Sequence, residues 1–262
     1  MSLPLEGRVV LVTRPRVQAA ALVAGLEARG ATVLVAPAIR IAGTRSRALD
    51  RALAALAAGE FAWVTLTSRS TVDVLASRVP PGDVRARVAA VGEGTAEAFA
   101  RWAGRAPDMV PARFTTEALA RAFPPGEGRV LCPRADVAPE GLEAALARKG
   151  WTPLRVDAYR TRPASSLPSG VRRALLAGEV DAVTFTSAST VRGFVAAAGS
   201  APSDPALIRS RWPRAVCIGP VTSREARAAG FRVLAVADPH TMEGLVAAVE
   251  RALARAARRP SA

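Results

Sequence analysis

Short β-branched runs alternate with alanine-rich helical stretches, and the whole pattern is written twice. Together these features predict an α/β fold of two similar parallel-sheet α/β domains. Three observations carry this expectation. Segments with chemistry recur at nearly constant offsets of 121, 119, 127 and 126 residues. The helical stretches place apolar residues three and four apart, as at Ala19, Leu22, Val23 and Leu26. Several of them end in glycine just before a strand, at Gly30, Gly59, Gly104, Gly150, Gly178 and Gly230, where a left-handed cap carries no Cβ clash.

Taken in order, Arg8–Arg14 reads as a strand and its turn, and returns as Arg129–Arg134. Each is followed by a helix, Gln18–Arg29 or Pro139–Lys149, and by a further strand. Val64–Ser68 returns as Val183–Ser187, each continuing into Ser-Thr-Val two residues on. Ala90–Thr95 is echoed by Cys217–Thr222, and Thr116–Leu119 by Met242–Leu245. The predicted strands are Val9–Thr13, Trp63–Thr67, Val88–Val91, Val130–Cys132, Ala182–Thr186, Val216–Ile218 and Val233–Val236. Strands joined by such helices form a parallel sheet covered on both faces.

The domain boundary has two solutions. A tandem division cuts near Pro124–Gly128, a Pro/Gly-rich turn. Two proline-bounded extended segments, Pro37–Ala42 and Asp157–Pro163, break the rhythm and support an interleaved division instead. If they are crossovers, one domain takes 1–38 and 162–262 and the other 42–158, with 37–42 and 157–163 as linkers and five strands in each domain.

Half of the 262 residues are hydrophobic, enough for a substantial core, and no apolar run approaches the length of a membrane span. No membrane partner and no secretion signal are expected. Cys132 and Cys217 are the only cysteines, each in a short apolar run, which fits reduced buried thiols and a cytoplasmic address. The net charge is +14, and Lys149 is the only lysine, so every other basic residue is arginine. Such a surface is either simply solvated or suited to a polyanion, because guanidinium grips carboxylates in a bidentate fork. The basic residues are dispersed and aromatics are few, so nucleic acid is not the expected partner. A small anionic ligand is.

In open parallel sheets, ligands bind where strands end and helices begin. Thr67–Ser68 and Thr186–Ser187 fall at such places, as helix caps, as ligand contacts, or as both. Gly92–Thr95 and Gly219–Thr222 are similar strand-to-helix turns, and neither is a nucleotide fingerprint. Arg14 and Arg134 follow equivalent strands, either on the surface or facing a ligand. Tyr159, the only tyrosine, lies in an extended alternating stretch, where it packs or offers a proton. His240 is the only histidine and is expected at the surface or as a cap. No histidine–cysteine cluster suits a transition metal, and no local Ser-His-Asp arrangement is present. Catalysis, if there is any, would rest on positioning, hydroxyls and backbone amides.

The ordered set resembles the uroporphyrinogen-III synthase family. Its parts are Leu11–Pro15 with Gln18 and Leu26–Gly30, then Thr67–Ser68, Val156–Thr161, Phe185–Ser187 and Ile218–Thr222, and they extend from about Val9 to Leu245. The resemblance implies two flavodoxin-like α/β lobes joined by two extended crossover segments, with the active site between them. It implies no metal or organic cofactor, and the chain is expected to act as a monomer. The implied reaction takes hydroxymethylbilane, removes its hydroxyl as water and closes the ring with the last pyrrole inverted. The substrate's eight carboxylate arms would account for arginines and helix N-termini at the site, with charge steering association. The implied site residues are Thr67, Ser68, Thr95, Ser187 and Thr222 for the carboxylate arms, with Tyr159 assisting departure of the hydroxyl. Val221 departs from the pattern, where relatives often carry a second hydroxyl. The implied basic group falls among Arg14, Arg134 and Arg214. A two-lobed protein that closes on a small anion without catalysis is the rival expectation.

Overall fold

The computed structural model describes residues 3–44, 46–199 and 212–257. The chain divides into two compact units, residues 1–40 with 162–262 and residues 41–161.

In the first unit, β1 (Val9–Val12), α1 (Arg16–Glu27) and β2 (Thr32–Val35) form a βαβ element. The chain returns to this unit at α7 (Ser169–Ala177) and continues through β8 (Ala182–Phe185), α8 (Ala188–Gly199), β9 (Arg214–Cys217), α9 (Pro220–Ala228), β10 (Val233–Val236) and α10 (Met242–Ala257). The sheet order is β10-β9-β8-β1-β2, and all four pairings are parallel. Strand side chains alternate between faces. Val10, Val12, Ala182 and Val216 therefore pack against Leu22, Leu26, Leu245 and Val249 on one face. Leu11, Val183, Phe185 and Ala215 pack with Val171, Leu175 and Phe194 on the other. Each fully buried Val, Leu or Phe among them contributes about 1.5–3 kcal/mol.

In the second unit, β3 (Ile39–Gly43) leads into α2 (Arg47–Ala57), β4 (Trp63–Leu66), α3 (Arg69–Ala76), β5 (Arg87–Ala90), α4 (Glu93–Ala103), α5 (Thr116–Ala122), β6 (Arg129–Ala135), α6 (Gly141–Ala147) and β7 (Thr152–Pro163). Its sheet order is β3-β7-β6-β4-β5, with β7–β6, β6–β4 and β4–β5 parallel. Val64, Leu66, Val88 and Leu131 face Leu49, Leu56, Leu75 and Phe99. Trp63, Ala89, Val130 and Cys132 face Leu119, Leu142 and Leu146.

Local chemistry fixes the helix ends. Ser46, Ser68 and Thr115 accept the amides of Leu49, Thr71 and Ala118 and cap α2, α3 and α5. Gly104 and Gly178 close α4 and α7 with φ of 67° and 72°, in the left-handed region that favours glycine.

The pairing registers relate the units. Val10 pairs with Ala182 and Val130 with Trp63, so β1 corresponds to β6 and β8 to β4. Likewise β2 corresponds to β7 and β9 to β5. The tandem repeat of the sequence is thus interleaved in space. The βαβ element that opens each copy packs with the remainder of the other copy. The fifth strand is the exception to the correspondence. The place of β10 in the second unit holds only a single bridge, Ala89 to Met109, and β3 supplies that sheet's fifth strand at the opposite edge.

Candidate functional site

In the second unit, β4 ends at Leu66 and the chain turns through half-buried Thr67 into Ser68, which has extended backbone (φ −164°, ψ 159°) and caps α3. The Ser68 Oγ accepts the Thr71 amide at 3.1 Å. It also lies 3.0 Å from Thr71 Oγ1 and 3.0 Å from Tyr159 Oη. Tyr159 reaches this point because β7 is a long strand whose register with β6 shifts between Arg134 and Ala135. Such an irregularity re-aims a side chain at the end of a ladder. The ring packs in the same core as Val156 and Ala158 and is 8% exposed. Burial raises the phenol's pKa above its ordinary value, against the opposing effects of the Ser68 hydrogen bond and the Arg134 charge. Tyr159 therefore carries its proton at neutral pH, which suits it to donate rather than to act as a base.

β5 neighbours β4, so the turns at their carboxyl ends lie side by side. α4 starts after Gly92, and Thr95 is buried in its first turn, its amide on Gly92 O. A Cβ at Gly92 would come within 2.8 Å of Phe114 Cβ. Glycine is required there by close approach, since its φ of −177° is ordinary extended backbone. Arg69 ties the two turns together. Its Nε donates to Gly94 O at 2.9 Å, and its Nη2 is 3.7 Å from Glu97.

Arg134 directs its hydrogen bonds elsewhere. It is 2% exposed, with Nη1 on Glu143 at 2.9 Å and Nη2 on Pro139 O at 3.3 Å. Its charge is committed to the start of α6.

In the first unit, Ser187 caps α8 by accepting the Thr190 amide at 3.2 Å. Here Thr190 Oγ1 donates to Ser187 O at 2.7 Å, closing the cap on itself. Thr222 is buried in the first turn of α9 behind Gly219. Arg14 is half-buried beyond β1, with Nη1 2.9 Å from Met242 Sδ. Arg214 opens β9 on the exposed side. His240 is half-buried, with Nδ1 2.7 Å from Ala237 O and its ring against Gly219.

The second unit thus brings together Thr67, Ser68 and Tyr159, with the turn of Thr95 alongside. The first unit brings Ser187 and Thr222 to the ends of the neighbouring strands β8 and β9. Sequence reasoning missed Thr71 and Arg69. The Ser-x-x-Thr spacing, repeated as Ser187 to Thr190, was the available signal for Thr71, but nothing local marks Arg69. Among the described residues no group of three or more His, Cys, Asp or Glu could hold a metal ion. None of the described helices is long and apolar enough to cross a membrane. Both cysteines are free and buried, and desolvation pushes each thiol up to about 12. A cavity of about 440 Å³ between α5 and α6 is lined by none of the hydroxyls above. Chemically, the second unit offers helix N-termini and hydroxyls for anions and one phenolic proton.

The family model described as "Uroporphyrinogen-III synthase HemD" matches residues 20–247. The uroporphyrinogen-III synthase of Synechococcus elongatus is 33% identical over 257 residues, covering 95% of this chain and 96% of that protein. The chloroplastic uroporphyrinogen-III synthase of Oryza sativa is 26% identical over 256 residues, covering 93% and 80%. A crystal structure of a mutant uroporphyrinogen III synthase from Thermus thermophilus matches with a TM-score of 0.64 and 25% identity, covering 95% of this chain and 99% of that one.

Proposed function

This chain belongs to the uroporphyrinogen-III synthase family, and from that premise we propose that the Tyr159–Ser68 hydroxyl pair of the second unit assists the chemical step. The chain is a uroporphyrinogen-III synthase, the cyclising enzyme of tetrapyrrole biosynthesis. It converts hydroxymethylbilane to uroporphyrinogen III with loss of water and inversion of the terminal ring. The rival expectation of a non-catalytic anion-binding protein is not favoured by this membership.

The single observation supporting the site assignment is the 3.0 Å contact between Tyr159 Oη and Ser68 Oγ at the carboxyl end of a parallel sheet. The hydroxymethyl pyrrole ionises readily, so the enzyme needs a proton for the departing hydroxyl and control over which ring carbon attacks. Tyr159 supplies the first as hydrogen-bond donor or acid. Thr67 and Thr95, with Ser68 through its backbone amide and the amides of α3 and α4, hold carboxylate arms, and Ser187, Thr222 and Arg14 form the corresponding set in the first unit. Arg134 contributes indirectly, through the start of α6 and through its field on the phenol. The segments 37–42 and 157–163 serve as the linkers. The enzyme works as a monomer in the cytoplasm, an address supported by the two free buried thiols, and without a nucleic-acid partner, a reading supported by the dispersed arginines.

Tyr159→Phe tests the assignment. Acid assistance contributes roughly 10²–10⁴-fold, and the lower end is expected because the substrate ionises easily. Turnover to the inverted isomer should fall about 10²-fold with the melting temperature unchanged. Full-rate formation of that isomer by the variant would remove Tyr159 from the mechanism.

A further inference from the structure

We infer that Thr71 is a positioning residue that sets the direction of the Tyr159 proton through Ser68, in a one-way hydroxyl relay Thr71→Ser68→Tyr159. The inference rests on the role given to Tyr159 above and adds a residue that touches no substrate. Three hydroxyls share two contacts, Thr71 Oγ1 to Ser68 Oγ at 3.0 Å and Ser68 Oγ to Tyr159 Oη at 3.0 Å. Three protons must be placed, so one of them points out of the chain.

Counting lone pairs decides which. A hydroxyl oxygen has two acceptor sites and one proton. One site on Ser68 Oγ is already taken by the Thr71 amide, whose N–H can only donate. If Tyr159 donated to Ser68, the second site would be filled, and Ser68 would pass its own proton to Thr71. The Thr71 proton would then have no partner, because Thr71 is 0% exposed and Ser68 Oγ is the partner of its hydroxyl. A buried unsatisfied donor costs about 1–3 kcal/mol. If Thr71 and Tyr159 both donated to Ser68, three donors would compete for two sites. In the remaining arrangement the unplaced proton falls on Tyr159, which is 8% exposed, rather than on Thr71, which is 0% exposed. Thr71 donates to Ser68, Ser68 donates to Tyr159, and the phenolic proton is left free for an incoming oxygen. Ser68 also faces the developing phenolate with a donor, which strengthens Tyr159 as an acid, and the bond from Thr71 polarises that donor further.

The first unit shows what the same residues do without a tyrosine. There Thr190 spends its proton on Ser187 O at 2.7 Å and its oxygen on the Ser187 amide at 3.2 Å, a closed reciprocal cap. In the second unit the Thr71 hydroxyl is turned to the serine side chain instead.

Tyr159 is the only tyrosine, so its vibrational signature is free of overlap. The Fermi doublet of a tyrosine ring in the ultraviolet resonance Raman spectrum distinguishes a phenol that accepts a hydrogen bond from one that only donates. The wild-type enzyme should show the accepting signature. Thr71→Val keeps the shape and removes the donor, freeing a site on Ser68 for the phenolic proton, so the doublet should shift toward the donating type. With hydroxymethylbilane, kcat should fall about tenfold at unchanged KM, a fraction of what a positioned acid contributes. Thr71→Ser, which keeps the hydroxyl, should restore both signals. A donating signature in the wild-type enzyme, or an unchanged doublet in Thr71→Val, would overturn the relay. A shifted doublet with unchanged kcat would leave the relay standing and count instead against Tyr159 as the acid. If Thr71→Val lost its fold by circular dichroism, the wild-type doublet alone would still decide the matter.

Discussion

The two units build the same strand-to-helix turn twice and finish it differently. In the first, Ser187 and Thr190 satisfy one another and the cap is complete within a single turn of chain. In the second, Ser68 caps its helix and reaches Tyr159, ninety-one residues away. Arg69 then ties this turn to the one bearing Thr95, whereas Ala188 stands at the matching place in the first unit. The ladder differs too. Thr13 donates to Thr184 O and Thr184 to Leu11 O, locking β1 to β8, while Pro133 occupies the place of Thr13 and can make no such bond. The same turn thus occurs twice, and in one copy its serine meets a phenol that carries a proton.

The largest expected difference between the units is in stability. The second unit buries the Arg134–Glu143 pair, with side chains 3% and 12% exposed, whereas the Arg8–Asp181 pair of the first unit is 31% and 26% exposed. Removing one partner of such a pair strands the other charge and costs roughly 3–5 kcal/mol. Denaturant midpoints should therefore show Arg134→Ala as strongly destabilised and Arg8→Ala as much less so. Equal losses would mean that the buried pair is worth no more than the more exposed pair of Arg8.

The serines should separate stability from turnover. Ser68→Ala and Ser187→Ala each remove a helix cap, worth about 1 kcal/mol, so both melting temperatures should drop, that of Ser68→Ala further because it also leaves the buried Thr71 hydroxyl without its partner, whereas Thr190 keeps its bond to Ser187 O. Turnover should drop about tenfold further in Ser68→Ala alone, as expected for a group that supports an acid. Matching activities in the two variants would place Tyr159 and its serine outside the chemistry.

Why these contrasts were only partly legible in the sequence follows from their range. The repeated strands were readable because a buried parallel strand must be β-branched and its helix must stop before the next strand, as at Gly104 and Gly178. Most strand ends moved by a residue or two, and the end of β6 by three. β6 continues to Ala135 and β7 runs from Thr152 to Pro163 as one strand, because pairing with a neighbour carries extended backbone past the apolar run. The hydroxyls of Ser68 and Ser187 could be placed at helix starts from spacing alone. That one of them meets Tyr159 depends on a register shift in β7, which leaves no mark on composition. The commitment of Arg134 to Glu143 was hidden for a related reason. An arginine after a strand reads the same whether it faces solvent or a carboxylate on the next helix.

A smaller effect concerns the cores of the two units, each of which buries one thiol. Burial raises Cys132 and Cys217 from 9.0 to about 12 and also raises Tyr159. Groups whose pKa is higher in the folded state stabilise it fully below the unfolded value and lose that contribution as pH rises through the folded one. Melting temperature should hold up to about pH 9 and then decline toward about pH 12. Cys132→Ala and Cys217→Ala should each make the decline shallower, and a decline equally steep in both variants would assign it to other groups.

The most direct test of the enzyme as a whole is the identity of its product. Hydroxymethylbilane left alone closes without inversion, so each reaction contains its own reference. Incubated with the purified wild-type chain and no added cofactor, it should give uroporphyrinogen III in large excess over the uninverted isomer. Formation of only the uninverted isomer, at the rate seen without protein, would contradict the assignment.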